Sequence, residues 1–99
     1  MEIELEGLKI EWDDKKSEIN RKKHGIRFSI AARVFLDENR CEEFDELHSD
    51  DEDRYKTIGK VGKILVVIYT EREDRTRIIS ARLADKDEEG KYYGQYFGL

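Results

Sequence analysis

Arg54, Arg72, Arg77 and Arg82 lie within or beside segments that read as β-strands. A guanidinium carries a planar fork of donors that fits phosphate oxygens two at a time, and it keeps its charge at any physiological pH. From Thr76 to Arg82, Ile78 and Ile79 are set among arginines, Thr76 and Ser80. Alternation places Thr76, Ile78, Ser80 and Arg82 on one face and Arg77, Ile79 and Ala81 on the other, so neither face is wholly apolar. Arginine and hydroxyl groups are costly to bury unpaired, and this strand is expected to line a surface that meets an anion. Histidine is the side chain whose ordinary pKa suits proton transfer near neutrality, which singles out His24, with Lys23 beside it. Tyr69, Tyr92 and Tyr93 add phenolic donors.

Each of these residues also has a structural reading. The arginines suit ion pairs with the acidic stretch 42–53, and His24 suits a helix C-terminus, where free carbonyls and the dipole favour it. Tyr69 reads as core, Ser80 as a strand hydroxyl, and His48, among carboxylates, as a solvated loop residue. Two histidines 24 residues apart and scattered carboxylates give no metal-ligand spacing, so neither metal nor cofactor is expected. Cys41 is the one cysteine, which rules out a disulfide framework and reads as an inert thiol.

The charge balance conceals a segregation. The chain carries a net −5, yet residues 37–53 hold ten acidic side chains against Arg40, whereas residues 54–82 hold eight basic against three acidic. Residues 13–33 are basic as well. Such a chain can present a positive face to a phosphate backbone despite an acidic pI. With 37% hydrophobic and 43% charged residues, 99 residues make one domain, 1–99, with a small core. No apolar run is long enough to span a bilayer and no signal-peptide pattern opens the chain, so a soluble, cytoplasmic protein is expected.

The elements that must position these groups follow from periodicity. Residues 2–12 alternate, with a change of phase at Gly7, and read either as one strand with a glycine bulge ending at Trp12, the preferred reading, or as two short strands joined by a turn. Asp13 is a natural N-cap for a helix over 14–24, closed by Gly25, with Ile19 and Asn20 on its inner side, Asn20 bonded to backbone, and Trp12 and Ile26 as anchors. Phe28, Ala31, Ala32 and Phe35 make the apolar stripe of a second helix over about 29–36. An edge strand around Cys41 and Phe44 follows, then a loop in which Ser49 to Glu52 matches a capping box. Strands are expected at 55–60, 64–70 and 76–82, the last two paired antiparallel across residues 71–75. Residues 83–93 are polar and helix-compatible, and residues 94–99 form an aromatic, glycine-rich tail. The expected fold is α+β: an N-terminal strand, two helices packed on one face, and an antiparallel sheet of three to four strands whose other face is partly open.

In this order the motifs resemble a known family. Glu11-Trp12-Asp13-Asp14-Lys15-Lys16, Asn20, Lys23-His24-Gly25-Ile26, Phe28 and Ala31-Ala32 are similar to the N-terminal signature of BrnT-type toxins of type II toxin–antitoxin modules. The similarity continues through Glu52-Asp53-Arg54-Tyr55, Ile58-Gly59, Val67 to Arg72, Arg77 to Arg82 and Ala84, and so spans about residues 10–84. The resemblance implies a RelE-like fold and a metal-independent endoribonuclease that cleaves mRNA and inhibits translation. It also implies neutralisation by a ribbon-helix-helix antitoxin of BrnA type, which binds operator DNA, and hence a hetero-oligomer. In that reading Arg72 and Arg82 stabilise the pentavalent phosphate, and His24 or a C-terminal tyrosine such as Tyr92 moves protons. Arg54, Arg77 and Lys23 contact RNA phosphates. The chain departs from the pattern at both ends, with an extra segment 1–9 and the acidic run Asp85-Lys-Asp-Glu-Glu89 where a basic helix is usual. A non-catalytic module that binds antitoxin or nucleic acid through the same sheet is the alternative.

Overall fold

The computed structural model describes residues 1–97. Its strands are β1 (Glu2–Leu5), β2 (Leu8–Glu11), β3 (Cys41–Phe44), β4 (Arg54–Val61), β5 (Lys63–Arg72) and β6 (Arg75–Leu83). They form one six-stranded sheet in the order β1-β2-β6-β5-β4-β3. The pairings are antiparallel except β2 with β6, which run parallel. The expected sheet of three to four antiparallel strands is therefore too small and too uniform. The N-terminal segment accounts for much of the difference: it is two strands, not one, because Glu6 and Gly7 both take positive φ and turn the chain back on itself. The phase change at Gly7 marked that turn.

Helix α1 (Asp14–His24) has the expected ends, with Asp13 accepting from the Lys16 N–H and Gly25 left-handed at φ 74°. On its inner side Asn20 is bonded to backbone as expected, but Ile19 is not packed there. Ile19 is 63% exposed, and the residue that ties α1 to the sheet is Asn20, which is buried. The Asn20 amide donates to the Ile26 and Ala81 carbonyls at 2.8 Å each and accepts from the Ala81 N–H at 3.1 Å. An amide satisfied on both sides does the work that an apolar stripe does elsewhere. Trp12 and Ile26 are buried at either end, as anchors should be.

The second helical segment is α2 (Phe28–Ala31), continuing as a 3₁₀ helix over Ala32–Leu36. Three residues per turn puts Val34 in line with Ala31 and Phe28, so Val34 is fully buried and Phe35 swings to the edge to meet Tyr69. Val34 rests on Gly59 of β4, where an added Cβ would come within 3.0 Å of the Val34 Cβ. Ile10, Phe28, Val34, Leu65, Val67, Ile78 and Ala81 share this principal core.

On the opposite sheet face lies α3 (Lys86–Phe97), which runs through Gly90 and Gly94 into the segment expected to be a non-helical tail. Residues 98 and 99 of that tail lie outside the described residues. With Ile58, Ile64 and Val66, Tyr92 forms a second, smaller core under this helix. Asp85 and Glu88 cap its start reciprocally, the Glu88 N–H donating to Asp85 at 2.8 Å and the Asp85 N–H to Glu88 at 3.0 Å. The capping box expected at Ser49 does not form. The Ser49 hydroxyl donates to the Asp45 carbonyl and accepts from the Arg54 N–H, so the loop is pinned onto β4.

One irregularity re-aims the whole of β6. Ser80 stands opposite Ile68 and Ile78 opposite Tyr69, which leaves Ile79 as a bulge with no partner. Alternation therefore breaks between Ile78 and Ser80. Ile78 and Ala81 share the core face, while Arg77, Ser80 and Arg82 share the open one. This regroups the faces read from strict alternation, because a bulge flips every side chain beyond it.

Candidate functional site

Cross-strand partners lie on the same side of a sheet, so the register reads out the open face row by row. Lys56, Ile68 and Ser80 make one row, Arg54, Thr70 and Arg77 the next, and Ile58, Val66 and Arg82 the row on the other side. Arg54, Lys56, Ser80 and Arg82, together with Asp45, Leu47, Ile68 and Ile79, line a groove of about 320 Å³. The groove exists because α3 covers only one end of this face and the 45–53 loop only one flank.

The cations in it are held by carboxylates. Arg82 donates Nη1 and Nη2 to the two oxygens of Glu88 at 2.7 and 2.8 Å, and its Nη1 also reaches the Leu83 carbonyl. Lys56 Nζ sits 2.6 Å from Glu88 Oε2, the oxygen that also accepts from Arg82 Nη2, and 3.4 Å from Glu43. Glu88 is buried, and the Arg82 guanidinium beside it, opposed by burial and helped by the Asp85 N–H and Lys56, holds its carboxyl well below the usual carboxylate range. Burial works against the Lys56 ammonium, but its bonds to Glu88 and Glu43 outweigh that and raise its pKa. Lys56 is therefore held as the ammonium cation. With two Nη atoms turned to Glu88, Arg82 keeps its Nε edge without a hydrogen-bond partner among the described residues. Arg54 Nε is buried and lacks an acceptor among the described residues. A buried orphan donor in the wall of a cationic groove is where an anion belongs.

The residues singled out from the sequence are not all brought here. Arg72 lies at the far end of the β5–β6 hairpin, six strand residues from Val66, the partner of Arg82. That is ~20 Å along the strand, too far for the two arginines to hold one phosphate. Arg72 instead pairs with Glu52 through Nε and Nη2 at 3.3 and 3.1 Å, in solvent. Arg77 is on the open face, paired with Glu11 at 2.5 Å. His24 and Lys23 are exposed on the last turn of α1, which packs on the other sheet face, so neither reaches the groove. Tyr92 is buried, and its hydroxyl donates to Asp37 at 2.7 Å. Burial, reinforced by Asp37, pushes its pKa up, which makes it a structural phenol. Tyr69 is likewise core, its hydroxyl donating to Glu42.

Sequence reading missed Lys56 and Glu88. Lys56 was legible as the residue two beyond Arg54 on the same strand face. The signal for Glu88 was the pattern Asp85-x-x-Glu88 ahead of a helix, which draws a buried carboxylate out of a run that reads as solvated charge. Among the described residues, no group of three or more His, Cys, Asp or Glu side chains is placed to hold a metal ion. The Cys41 thiol, its pKa pushed up by burial, donates to the Lys91 carbonyl of α3 at 3.7 Å.

The fold and groove together define a small α+β domain whose open sheet face carries a row of cations and an orphan guanidinium donor. Residues 12–88 match the family model of the BrnT ribonuclease toxin of type II toxin–antitoxin systems, and the chain belongs to that family. A solved structure agrees: the 1.1 Å crystal structure of the Brucella abortus ribonuclease toxin BrnT superposes with a TM-score of 0.59 at 26% identity, over 78% of this chain and 96% of that one. No sequence among the curated proteins matches. The family match begins at Trp12, so β1 and β2 precede it, and it ends at Glu88, so most of α3 follows it. Membership implies an RNA substrate and an antitoxin partner. Among the described residues, no helix is long and apolar enough to cross a membrane.

Proposed function

We propose that this chain is a toxin endoribonuclease that cleaves mRNA without a metal ion, in the manner of RelE-like enzymes, and so halts translation in the cytoplasm. The observation that carries this reading is the groove in which Arg54, Lys56 and Arg82 converge around an unsatisfied buried guanidinium donor. Cleavage by the neighbouring 2′-hydroxyl needs a proton acceptor, a donor for the 5′-oxygen, and cations where charge builds on phosphorus. Arg82, through its Nε edge, and Arg54 stabilise that charge. Lys56, held protonated, donates to the leaving oxygen, and Asp45 in the groove wall accepts the 2′-proton. Arg77 and Arg72 continue the face as contacts for flanking phosphates. His24, Lys23 and Tyr92 have no part in this chemistry. Neutralisation is by a ribbon-helix-helix antitoxin of BrnA type, whose complex with this chain binds operator DNA.

The competing reading, a non-catalytic module, draws on one observation: Arg72, Arg77, Arg82 and Lys56 all carry carboxylate partners already. The purified chain with single-stranded RNA separates the two. Cleavage that falls by about two orders of magnitude in Arg82→Ala, and by less than about threefold in Arg72→Ala, supports the groove as the site. Folded protein that binds RNA without products supports the module.

A further inference from the structure

A groove of about 570 Å³, larger than the proposed cleavage groove, is on the opposite sheet face from it. Its floor is aliphatic: Ile26 and Leu65 lie deep in it, and Ile30 and Leu83 are left 46% and 48% exposed beside them. Its rim is basic, with Arg27, Lys63 and His24 facing it and Lys22 and Lys23 next to His24 on α1. Of the lining cations, Arg21 is bonded to Glu18. Arg27 and Lys63 form no ion pair among the described residues, whereas on the open face Lys9, Lys56, Arg72, Arg75, Arg77 and Arg82 are each paired and Arg54 alone of the groove cations is not. A chain of net charge −5 does not lack carboxylates to pair them with. Cations left open around exposed aliphatic side chains are complementary to a partner that is apolar on one side and acidic along its flanks.

We infer that this groove, between the C-terminal end of α1, α2 and the β4–β5 turn, receives an acidic amphipathic helix of the protein antitoxin. A helix laid in a groove anchors through residues spaced at i, i+3, i+4 and i+7, and an aliphatic floor with a basic rim accommodates that pattern. Nucleic acid fits the place less well. Among the described residues no Phe, Tyr or Trp ring lines the groove, and single-stranded RNA is held chiefly by bases stacked on such broad rings. His24, Lys23 and Arg27, which the cleavage chemistry leaves unused, acquire a role as rim contacts. The inference rests on family membership, which supplies a protein antitoxin, and is independent of whether the other face cleaves RNA.

The test is titration of the full chain with its separately purified cognate antitoxin, beside Arg27→Glu/Lys63→Glu and Ile30→Glu variants checked for folding by thermal melting. The charge reversal is expected to weaken antitoxin binding by about tenfold or more and to flatten its salt dependence, because opposed rim charges steer association. Ile30→Glu weakens it as well, and RNA cleavage by either variant alone stays at the wild-type rate. Wild-type antitoxin affinity in the charge-reversed chain overturns the inference, and that exposed pair decides the matter even if Ile30→Glu unfolds. So does loss of RNA affinity with antitoxin binding intact, which would make the groove a nucleic-acid surface. A wild-type chain that binds antitoxin through these residues yet cleaves nothing removes the proposed function and leaves this interface standing.

Discussion

Glu88→Gln is the sharpest perturbation the structure offers, because one buried carboxylate holds two cations and the start of α3. Glu88 accepts from Arg82 at 2.7 and 2.8 Å, from Lys56 at 2.6 Å and from the Asp85 N–H at 3.0 Å. Its side chain is 5% exposed, that of Lys56 19% and that of Arg82 41%. Removing one member of a fully buried pair costs roughly 3–5 kcal/mol. Solvent reaches Arg82, and the amide keeps one acceptor, so the expected loss at neutral pH is about 2–4 kcal/mol. For a domain of this size that corresponds to a fall in Tm of roughly 10–25 °C. The pH dependence is specific. Glu88 has a depressed carboxyl pKa in the folded state, chiefly through Arg82, so its stabilisation is complete above the unfolded value and is lost as pH falls through the folded one. The wild-type advantage over Glu88→Gln is therefore constant above about pH 5.5 and shrinks below about pH 4, where an unfolded glutamate takes up its proton. Urea unfolding followed through the single, buried Trp12 reads both quantities. A difference under about 0.5 kcal/mol at pH 7, the range of ordinary surface changes, or a gap that holds steady on acidification, would refute the reasoning.

Asn20→Ala strips three hydrogen bonds from buried backbone at Ile26 and Ala81, and a loss of about 2–4 kcal/mol is expected in the same urea assay. An unchanged midpoint would mean that α1 is held by something other than this amide. Gly59→Ala drives a methyl to 3.0 Å from the Val34 Cβ and 3.3 Å from its carbonyl, with an expected cost of about 1–3 kcal/mol. A neutral result there would show that the 3₁₀ segment yields.

Much of the chain declared itself without coordinates. Asp13 and Gly25 bound α1, the apolar run from Ile64 to Thr70 is the central strand, and Trp12 and Ile26 anchor the helix, because capping, β-propensity and burial act through near neighbours in sequence. The family motifs lie in these same stretches, and the match to residues 12–88 bears them out. Lys56, in step with Arg54, and Glu88, in step with Asp85, were also within reach of the sequence.

Only tertiary structure decided which cations meet. The bulge at Ile79 returns Arg77 and Arg82 to one face, and no composition or spacing in β6 announces an unpaired residue. Arg72 and Arg82 look equivalent as arginines on one hairpin, but register separates them by the length of a strand. His24 and Tyr92 have the right chemistry for proton transfer. Packing sends one to the opposite face of the sheet and spends the other on Asp37. Sequence thus fixes what depends on neighbours a few residues apart, whereas a site assembled across strands depends on register, bulges and which face each helix covers. Those are set by the sum of long-range packing, to which no single residue type points.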